Sequence, residues 1–527
     1  MRQAVGVAAV TAGPGVTNTI TAIKNAQMAE VPIILLGGGA PTLLKNRGAL
    51  QDIDQLILFR PLCKYVTSVT RVRDIIPSLR KAFQIARSGT PGPVFLEFPI
   101  DVLYPYDVVL KLLDLKVPKT FKQRLLNGYL LAHTSRLFGG VVVDGEPLVP
   151  LPPNIPLPYS ADIDKAVNMI EHSVKPVLLV GSQATLPPVP ITQLKNAIEK
   201  LNIPVYLGGM ARGLLGMESK CLFRHGRRDA LRDADLIILA GTVCDFRLNY
   251  GRLFSKKAKV ISINRDFKQA TKNEDVFWCA SLLIVADVAS SLCQISEKLQ
   301  EVHEYRKTSE EWINELSERE SAKEKEILQK KESQLTDGKL NPLRVLSELN
   351  EVLPEDAILV ADGGDFVGSA AYIVKPRGPL RWLDPGAFGT LGVGGGFALG
   401  AKAVFPNSPV FILYGDGSCG FSLMEFDTFV RHKMPIVAVI GNDACWSQIE
   451  REQVVLFNSS VATNLEHARY EKIAEAFGAK GELLTIEMTK QLRQRLIEII
   501  ETNNSGFSII LNVIIGKTKF REGSISV

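Results

Sequence analysis

The sequence contains few cysteines, and their spacing gives them no shared role. Seven cysteines are scattered among 527 residues, and none belongs to a CxxC pattern or to another arrangement typical of metal ligands. This usage argues against a disulfide framework and a cysteine-rich zinc site. It is typical of reduced thiols in a protein that faces the cytosol.

Long apolar runs and strong charge are missing too. No uninterrupted apolar stretch reaches the roughly 18 to 20 residues that a bilayer-spanning helix needs, and Met1–Val10 does not have the pattern of a signal peptide. The net charge is only +5, and no basic run is interleaved with aromatic residues, so a nucleic-acid partner has no support. At 46% hydrophobic residues the chain is expected to fold, and its length suggests about three domains.

Strand-like apolar runs alternate with helical patterns along most of the chain. This alternation predicts the α/β class, with three doubly wound domains built on parallel sheets. The first block begins directly with a strand that leads into the turn Gly13-Pro14-Gly15, so we expect this domain to be incomplete. The predicted segments are a first domain at 1–105, a linker at 106–160, a Rossmann-like central domain at 161–300, a charged helical linker at 301–339 and a last domain at 340–527.

The linker 106–160 contains one segment with a helical pattern. Lys119–Phe138 has the composition of a basic amphipathic helix. One interpretation is contact with a membrane surface. The favoured one is packing on the protein through apolar side chains, namely Leu125, Leu126, Leu130 and Phe138.

Oxygen-bearing side chains follow two apolar runs in the last domain. Gly415-Asp416-Gly417-Ser418 comes directly after 410–414, and Asn442-Asp443 comes after 437–440. Ligands bind beyond the carboxyl ends of the strands of an open parallel sheet, so the two motifs are expected to meet at one site. Hard oxygen ligands beside a glycine turn suit a Mg²⁺ ion that carries a diphosphate. Taken alone, the first motif also fits a tight strand-to-helix turn.

This pair of motifs resembles the GDG…NN signature of thiamine diphosphate (ThDP) enzymes. The likeness covers nearly the whole chain. The segments 10–18, 50–52 and 89–94 resemble the pyrimidine-binding domain of the acetolactate synthase group, and 389–394 resembles that group's loop beneath the thiazolium. The resemblance implies the fold of this family and two cofactors, ThDP and Mg²⁺.

The resemblance also implies a set of metal ligands. These are Asp416, the second residue of the later pair, Asp443, and the backbone carbonyl of Cys445. Asn442 is a further candidate, with the alternative that it caps the strand end. The family usually has asparagine where this chain has Asp443. The added negative charge is expected to tighten the hold on the cation while opposing the diphosphate.

Other positions are matched to the organic part of the cofactor. By resemblance, Leu391 wedges between the two rings, and the carbonyl of Gly389 accepts a hydrogen bond from the pyrimidine amine. Gln51 faces the substrate, and we name it with Leu391 as catalytic. The alternatives are a core role for Leu391 and a surface helix cap for Gln51. The remaining cofactor-binding positions are Gly13, Pro14, Asn18, Gly415, Gly417, Ser418 and Trp446, the last of which is otherwise core filler.

The resemblance implies a carbon–carbon lyase. It would cleave a 2-hydroxyacyl-CoA to formyl-CoA and an aldehyde one carbon shorter, as in fatty acid α-oxidation. A second interpretation is a 2-oxo acid decarboxylase and carboligase like acetolactate synthase. A third is a non-catalytic regulatory subunit with the ThDP fold. It arises because the family's activating glutamate precedes the 10–18 motif, and Met1–Val10 contains no acid. We therefore expect little turnover from the chain as given.

The resemblance extends to partners and location. In this family the cofactor lies between two subunits, which implies a homodimer or homotetramer. It also implies the endoplasmic reticulum membrane on its cytosolic side, with membrane association in a longer form. The chain as given has no such anchor, which predicts a cytoplasmic location for it.

Overall fold

The structure, a computed structural model, describes residues 4–115, 117–141, 148–300, 305–333, 335 and 337–522. It divides into two compact units. One comprises Gln3–Ile155 with Gly386–Phe388, and the other comprises Met1–Arg2, Pro156–Pro385 and Gly389–Val527. The first unit contains one parallel sheet and the second contains two.

The sheet of the first unit has four parallel strands in the order β1-β2-β4-β3. The strands are β1 (Gly6–Val10), β2 (Ile33–Gly39), β3 (Tyr65–Ser68) and β4 (Val94–Pro99). Every residue of β4 is buried, with Leu96 in the core on one face and Phe95 stacked on Phe59 on the other. The helices are α1 (Pro14–Thr17), α2 (Ile20–Met28), α3 (Gln55–Phe59), α4 (Ile75–Arg87), α5 (Ile100–Leu103), α6 (Tyr106–Leu112) and α7 (Phe121–Phe138).

Helix α7 occupies the segment predicted to be a basic amphipathic helix. Thr120 caps it through a side-chain hydrogen bond from the Gln123 N–H, in a capping box. The expected packing through Leu125 and Leu126 is wrong, because both side chains are exposed. The helix packs through its other end, where Leu137 is buried.

The second sheet has six parallel strands in the order β10-β9-β8-β5-β6-β7. The strands are β5 (Pro176–Val180), β6 (Val205–Leu207), β7 (Leu222–Phe223), β8 (Leu236–Ala240), β9 (Lys259–Asn264) and β10 (Leu282–Val285). The central strands β5 and β8 are buried throughout, as continuous apolar runs between two helical layers should be. The helices are α8 (Ser160–Glu171), α9 (Ile191–Leu201), α10 (Arg227–Asp233), α11 (Phe267–Ala270), α12 (Glu274–Phe277), α13 (Val288–Leu299) and α14 (Tyr305–Glu332).

The third sheet also has six parallel strands, in the order β12-β11-β13-β14-β16-β15. The strands are β11 (Ile358–Ala361), β12 (Trp382–Leu383), β13 (Val410–Gly415), β14 (Val437–Asn442), β15 (Lys480–Leu484) and β16 (Ile509–Ile514). Gly415 of β13 is paired with Gly441 of β14, so both strands end side by side. The helices are α15 (Pro342–Val352), α16 (Asp365–Ile373), α17 (Val393–Val404), α18 (Asp416–Cys419), α19 (Glu425–Arg431), α20 (Ser447–Phe457), α21 (Tyr470–Ala476) and α22 (Leu492–Asn504).

The predicted α/β class with three parallel-sheet domains is confirmed. Apolar runs such as 177–180, 236–240 and 437–440 are strands because their side chains are buried on both faces of a sheet. The proposed domain boundaries remain predictions. Within the described ranges, none of the helices combines the length and apolarity required to cross a membrane.

Candidate active site

The site is built where β13 and β14 end. Asp416 begins α18 and is only 2% exposed. One carboxylate oxygen accepts the N–H of Gly417 at 2.9 Å, and the other accepts the N–H of Cys445 at 3.2 Å. Ala444 turns the chain towards Asp416 with a φ of 55°, a conformation that costs a non-glycine residue about 1–2 kcal/mol. The two motifs predicted to meet therefore do so through a hydrogen bond.

The carboxylate of Asp443 lies in the loop that follows β14. Its pKa is raised to about 7, first by burial and then by the nearby charge of Asp416, although the Ser447 hydroxyl donates a hydrogen bond to it. Burial also raises the pKa of Asp416. Both carboxylates are desolvated, and each negative charge makes ionisation of the other less favourable. A divalent cation bound by both would offset this repulsion. The residues present thus fit a Mg²⁺ ion.

Asn442 has a different environment. It is fully buried, and its amide nitrogen donates to Asn512 Oδ1 at 3.0 Å and to the carbonyl of Ala468 at 3.3 Å. Its oxygen accepts the N–H of Ala444 at 3.3 Å and lies 3.1 Å from His467 Nδ1. These contacts use the amide to hold the strand end. They favour Asp443 over Asn442 as the side chain that supplies oxygen to a metal.

Leu391 is held by an aspartate that sequence reasoning missed. Asp362 follows β11, and its carboxylate accepts the N–H groups of Gly392 at 3.0 Å and Gly394 at 2.6 Å. Burial raises the pKa of Asp362 to about 6 in spite of these hydrogen bonds. Leu391 packs on Gly363, where a Cβ atom would lie 2.2 Å from Leu391 Cδ2. The available signal was an acid directly after an apolar run and before two glycines.

Backbone groups and the buried Ser418 connect these loops into a cradle. The Ser418 Oγ lies 2.9 Å from the carbonyl oxygen of Gly363 and 3.0 Å from that of Gly415, so its single O–H can bond to either, and it links the ends of β11 and β13. The ring of Trp446 covers Gly417, where a Cβ atom would lie 2.6 Å from the indole. A side chain on Gly363 or Gly417 would therefore collide with Leu391 or Trp446. Gly389 has a φ of 65° and open space around its Cα, so it is available to a ligand.

The first unit brings together the residues predicted for the pyrimidine side. Gly13 and Gln51 both have a φ of 61°, and a Cβ on Gly13 would lie 2.8 Å from the Gln51 Cβ. Helix α1 begins at Pro14, and the N–H of Asn18, its C-cap, donates a hydrogen bond to the Pro14 carbonyl at 3.0 Å. The interpretation of Gln51 as a helix cap is wrong, because the N-cap of α3 is Asp54.

A buried polar network supports this loop, and sequence reasoning missed it as well. The side chain of Gln55 accepts the N–H of Gly13 at 2.8 Å and donates to Glu97 at 2.8 Å and to the carbonyl of Gly38 at 2.9 Å. Lys45 completes the network with a 2.6 Å ion pair to Glu97. The signal in the sequence was a glutamate within the apolar run 94–99, and it did not indicate which residues this glutamate contacts.

A separate cluster in the second unit has the residue types of a metal site. His225, Glu320 and Glu324 have potential ligand atoms within 4.8 Å of one another. The carboxylate of Glu320 already accepts the N–H groups of Arg224 at 3.1 Å and His225 at 2.9 Å, and Lys375 pairs with Glu324 at 3.2 Å. These donors hold the acids in place, so the cluster does not replace the Asp416 site.

Comparison with known proteins bears on the identity of these domains. Three domains described for the thiamine pyrophosphate enzymes match this chain: the N-terminal TPP binding domain at 1–58, the central domain at 163–295 and the C-terminal TPP binding domain at 362–511.

Similar proteins cover almost the full chain. "2-hydroxyacyl-CoA lyase 2" of Caenorhabditis elegans is 58% identical over 529 residues, which is 100% of this chain and 82% of that protein. The human protein of the same name is 50% identical and covers 99% of this chain and 82% of its own length. "Probable acetolactate synthase" of Mycobacterium bovis is 31% identical over 97% of this chain and 84% of its own length. The predicted resemblance is confirmed, and the chain belongs to the thiamine pyrophosphate enzyme family.

Proposed function

We propose that this protein is a carbon–carbon lyase that cleaves a 2-hydroxyacyl-CoA to formyl-CoA and an aldehyde one carbon shorter. The bond between the thioester carbonyl carbon and the hydroxyl-bearing carbon breaks. The hydroxyl loses its proton as the aldehyde forms, and the former carbonyl carbon gains a proton to become the formyl group. The observation that carries the proposal is the pair of carboxylates, buried Asp416 and half-buried Asp443, in a chain 50–58% identical to two proteins named 2-hydroxyacyl-CoA lyase 2.

The chain's residues divide the work of holding the cofactor. Asp416, Asp443 and the carbonyl of Cys445 are proposed to hold Mg²⁺, and the glycine cradle beside Ser418 to receive the diphosphate through backbone groups. The bulk of Leu391 would keep bound ThDP bent, and Asp362 holds the loop after Leu391 through the N–H groups of Gly392 and Gly394. Bound ThDP supplies the electron sink that carbon–carbon cleavage requires.

Substrate contacts are proposed on the same basis. Gln51 is exposed and has a positive φ, so its carboxamide is free to bind the hydroxyl or carbonyl oxygen of the substrate. Gly13, Pro14 and Asn18 form the compact turn proposed to face the pyrimidine ring. Trp446 is proposed to shape the pocket for the acyl group from its position over Gly417.

The proposed assembly is a homodimer or homotetramer, with the cofactor between two subunits. The proposed setting is fatty acid α-oxidation at the cytosolic side of the endoplasmic reticulum. Both statements rest on the resemblance to the family. Sedimentation analysis with and without ThDP and Mg²⁺ tests the first, and fractionation of cells that express the full coding sequence tests the second.

The alternative activity is decarboxylation and coupling of 2-oxo acids, which the 31% identity to a probable acetolactate synthase favours. The deciding experiment gives the protein purified from its full coding sequence, with ThDP and Mg²⁺, either a 2-hydroxyacyl-CoA or pyruvate. Aldehyde, formyl-CoA and acetolactate are measured separately, with Asp416→Ala as the inactive control. We expect aldehyde and formyl-CoA in equal amounts. Acetolactate without aldehyde would replace the lyase proposal by the alternative.

A further inference from the structure

Among the described residues, the C-terminal end of helix α7 packs against the first unit. The Thr42 hydroxyl lies 2.8 Å from His133 Nε2, and Leu137 is buried. The ring of Phe138 packs edge-on against Tyr106, with centroids 5.2 Å apart. These contacts hold the last turns of α7 against the protein and set the direction of the whole helix.

The N-terminal half of α7 leaves a row of large apolar side chains in solvent. Phe121, Leu125 and Tyr129 recur every four residues and therefore lie on one face of the helix. They are 76%, 60% and 60% exposed. Leu126 is exposed beside them, and Val117 is exposed just before the helix. Such a row is too regular for scattered surface residues and indicates a contact surface.

Basic residues surround this row, and acidic ones are missing from it. The segment 117–138 contains Lys119, Lys122, Arg124 and Arg136 and no aspartate or glutamate. All four basic residues are exposed. An apolar stripe bordered by uncompensated positive charge has the chemistry that binds the headgroups and upper acyl chains of an anionic bilayer.

We propose that the N-terminal half of α7 is a peripheral binding surface for anionic membranes, in which Phe121, Leu125 and Tyr129 insert among the lipids. Lys119, Lys122 and Arg124 would then lie at the level of the lipid phosphates. A second copy of the chain fits this surface less well. A two-fold contact through α7 would bring two sets of like charges together, with no acid in the segment to pair with them.

The test uses the full chain and vesicles of defined composition. Vesicles of phosphatidylcholine alone and vesicles with about one-third phosphatidylserine are mixed with the protein, and bound protein is measured by flotation at low and high salt. We expect binding to the anionic vesicles only, and we expect it to weaken as salt rises. Failure to bind them at low salt would overturn the proposal.

Two variants separate the parts of the surface. Phe121→Ser, Leu125→Ser and Tyr129→Ser combined removes the apolar row, and Lys119→Glu, Lys122→Glu and Arg124→Glu combined reverses the charge. Each basic residue near an anionic bilayer is worth roughly a fivefold change in partitioning, so reversing three charges should lower it by at least about 100-fold. Loss of the three apolar side chains should lower partitioning by at least about tenfold. The replaced side chains are exposed, and circular dichroism will verify that the variants fold.

A matched control replaces apolar residues that are equally exposed but lie in the central domain, namely Val174→Ser, Phe267→Ser and Val276→Ser. This control should bind vesicles like the parent protein. If it loses binding as strongly as the α7 variants, general surface hydrophobicity is responsible and the proposal is wrong. If the α7 variants keep vesicle binding but change the oligomer mass in light scattering, the helix is a subunit contact, which also overturns the proposal.

Discussion

The backbone N–H of Cys445 donates a hydrogen bond to the carboxylate of Asp416 across 3.2 Å, and this bond joins the loops that follow two neighbouring strands. The second Asp416 oxygen is held by Gly417. Both oxygens are therefore oriented by backbone donors before any cation binds. Such preorganisation lowers the cost of assembling a metal site, because no long side chain has to be ordered.

Removing the Asp416 carboxylate should strongly weaken cofactor binding. Asp416→Ala leaves Asp443 without its partner oxygen and frees the N–H groups of Gly417 and Cys445. We expect ThDP affinity in the presence of Mg²⁺ to fall by about 100-fold, as measured by isothermal titration calorimetry. Asp427→Asn, an exposed acid on α19 of the same domain, is the control and should bind normally. Equal affinities in the two variants would remove Asp416 from the metal site.

The aspartate at position 443 should matter through its charge. Asp443→Asn keeps an oxygen but removes a half-buried carboxyl group whose pKa is raised to about 7. Without metal the variant should be slightly more stable, by about 1–3 °C in melting temperature, because one desolvated charge is gone. Its stabilisation by Mg²⁺ and ThDP should be smaller than that of the parent protein. Scanning fluorimetry measures the melting temperature without metal and its rise on addition of Mg²⁺ and ThDP. If the variant showed a larger rise than the parent protein, the assignment of Asp443 would be contradicted.

Substitutions of Leu391 test whether the size of the side chain at this position matters. Leu391→Met conserves volume over Gly363, whereas Leu391→Ala opens the space that the leucine fills. If this side chain holds the cofactor bent, the alanine variant should lose about 10- to 100-fold in kcat while ThDP affinity changes much less. The methionine variant should stay close to the parent. A loss of ThDP affinity equal to the loss of kcat would indicate simple binding instead.

The sequence predicted the strands well because buried parallel strands are continuous apolar runs, as in 236–240 and 437–440. It also predicted that Asp416 and the 442–443 pair meet, since strand ends in one sheet share an edge. Which oxygen of that pair is free was not predictable. The Asn442 oxygen is contacted by the Ala444 N–H and by His467 Nδ1, and only the folded chain brings His467 close.

The same reason explains the missed residues. Gln55 and Glu97 are separated by 42 positions, and no local sequence pattern predicts their hydrogen bond. The exposed face of α7 was misjudged because a helical pattern shows where apolar residues cluster but not whether another element covers them. The sequence therefore predicted secondary structure but not the contacts between side chains that are far apart in the chain.

Gln55 should be important for the stability of the first unit. Gln55→Met keeps the size of the side chain but leaves the Gly13 N–H and one Glu97 oxygen without this partner. We expect stability to fall by about 2–4 kcal/mol in urea denaturation. Gln27→Met is the control, since Gln27 donates at the surface to the Pro61 carbonyl, and it should cost less than about 0.5 kcal/mol. A Gln55 variant as stable as this control would show that the network is dispensable.

His225 should make the protein sensitive to mild acid. Burial, with the nearby charge of Arg224 second, lowers the pKa of His225 to about 4, whereas an unfolded histidine titrates near 6.5. Its contribution to stability is thus present above about pH 6.5 and is lost as the pH falls towards 4, because the unfolded state binds the proton first. Between pH 7 and 5 the loss should be roughly 1–2 kcal/mol with solvent screening included. His225→Gln should remove this part of the pH dependence in denaturation curves, and His172→Gln, at an exposed helix end, should retain it. An unchanged pH dependence in His225→Gln would mean that another group titrates in this window.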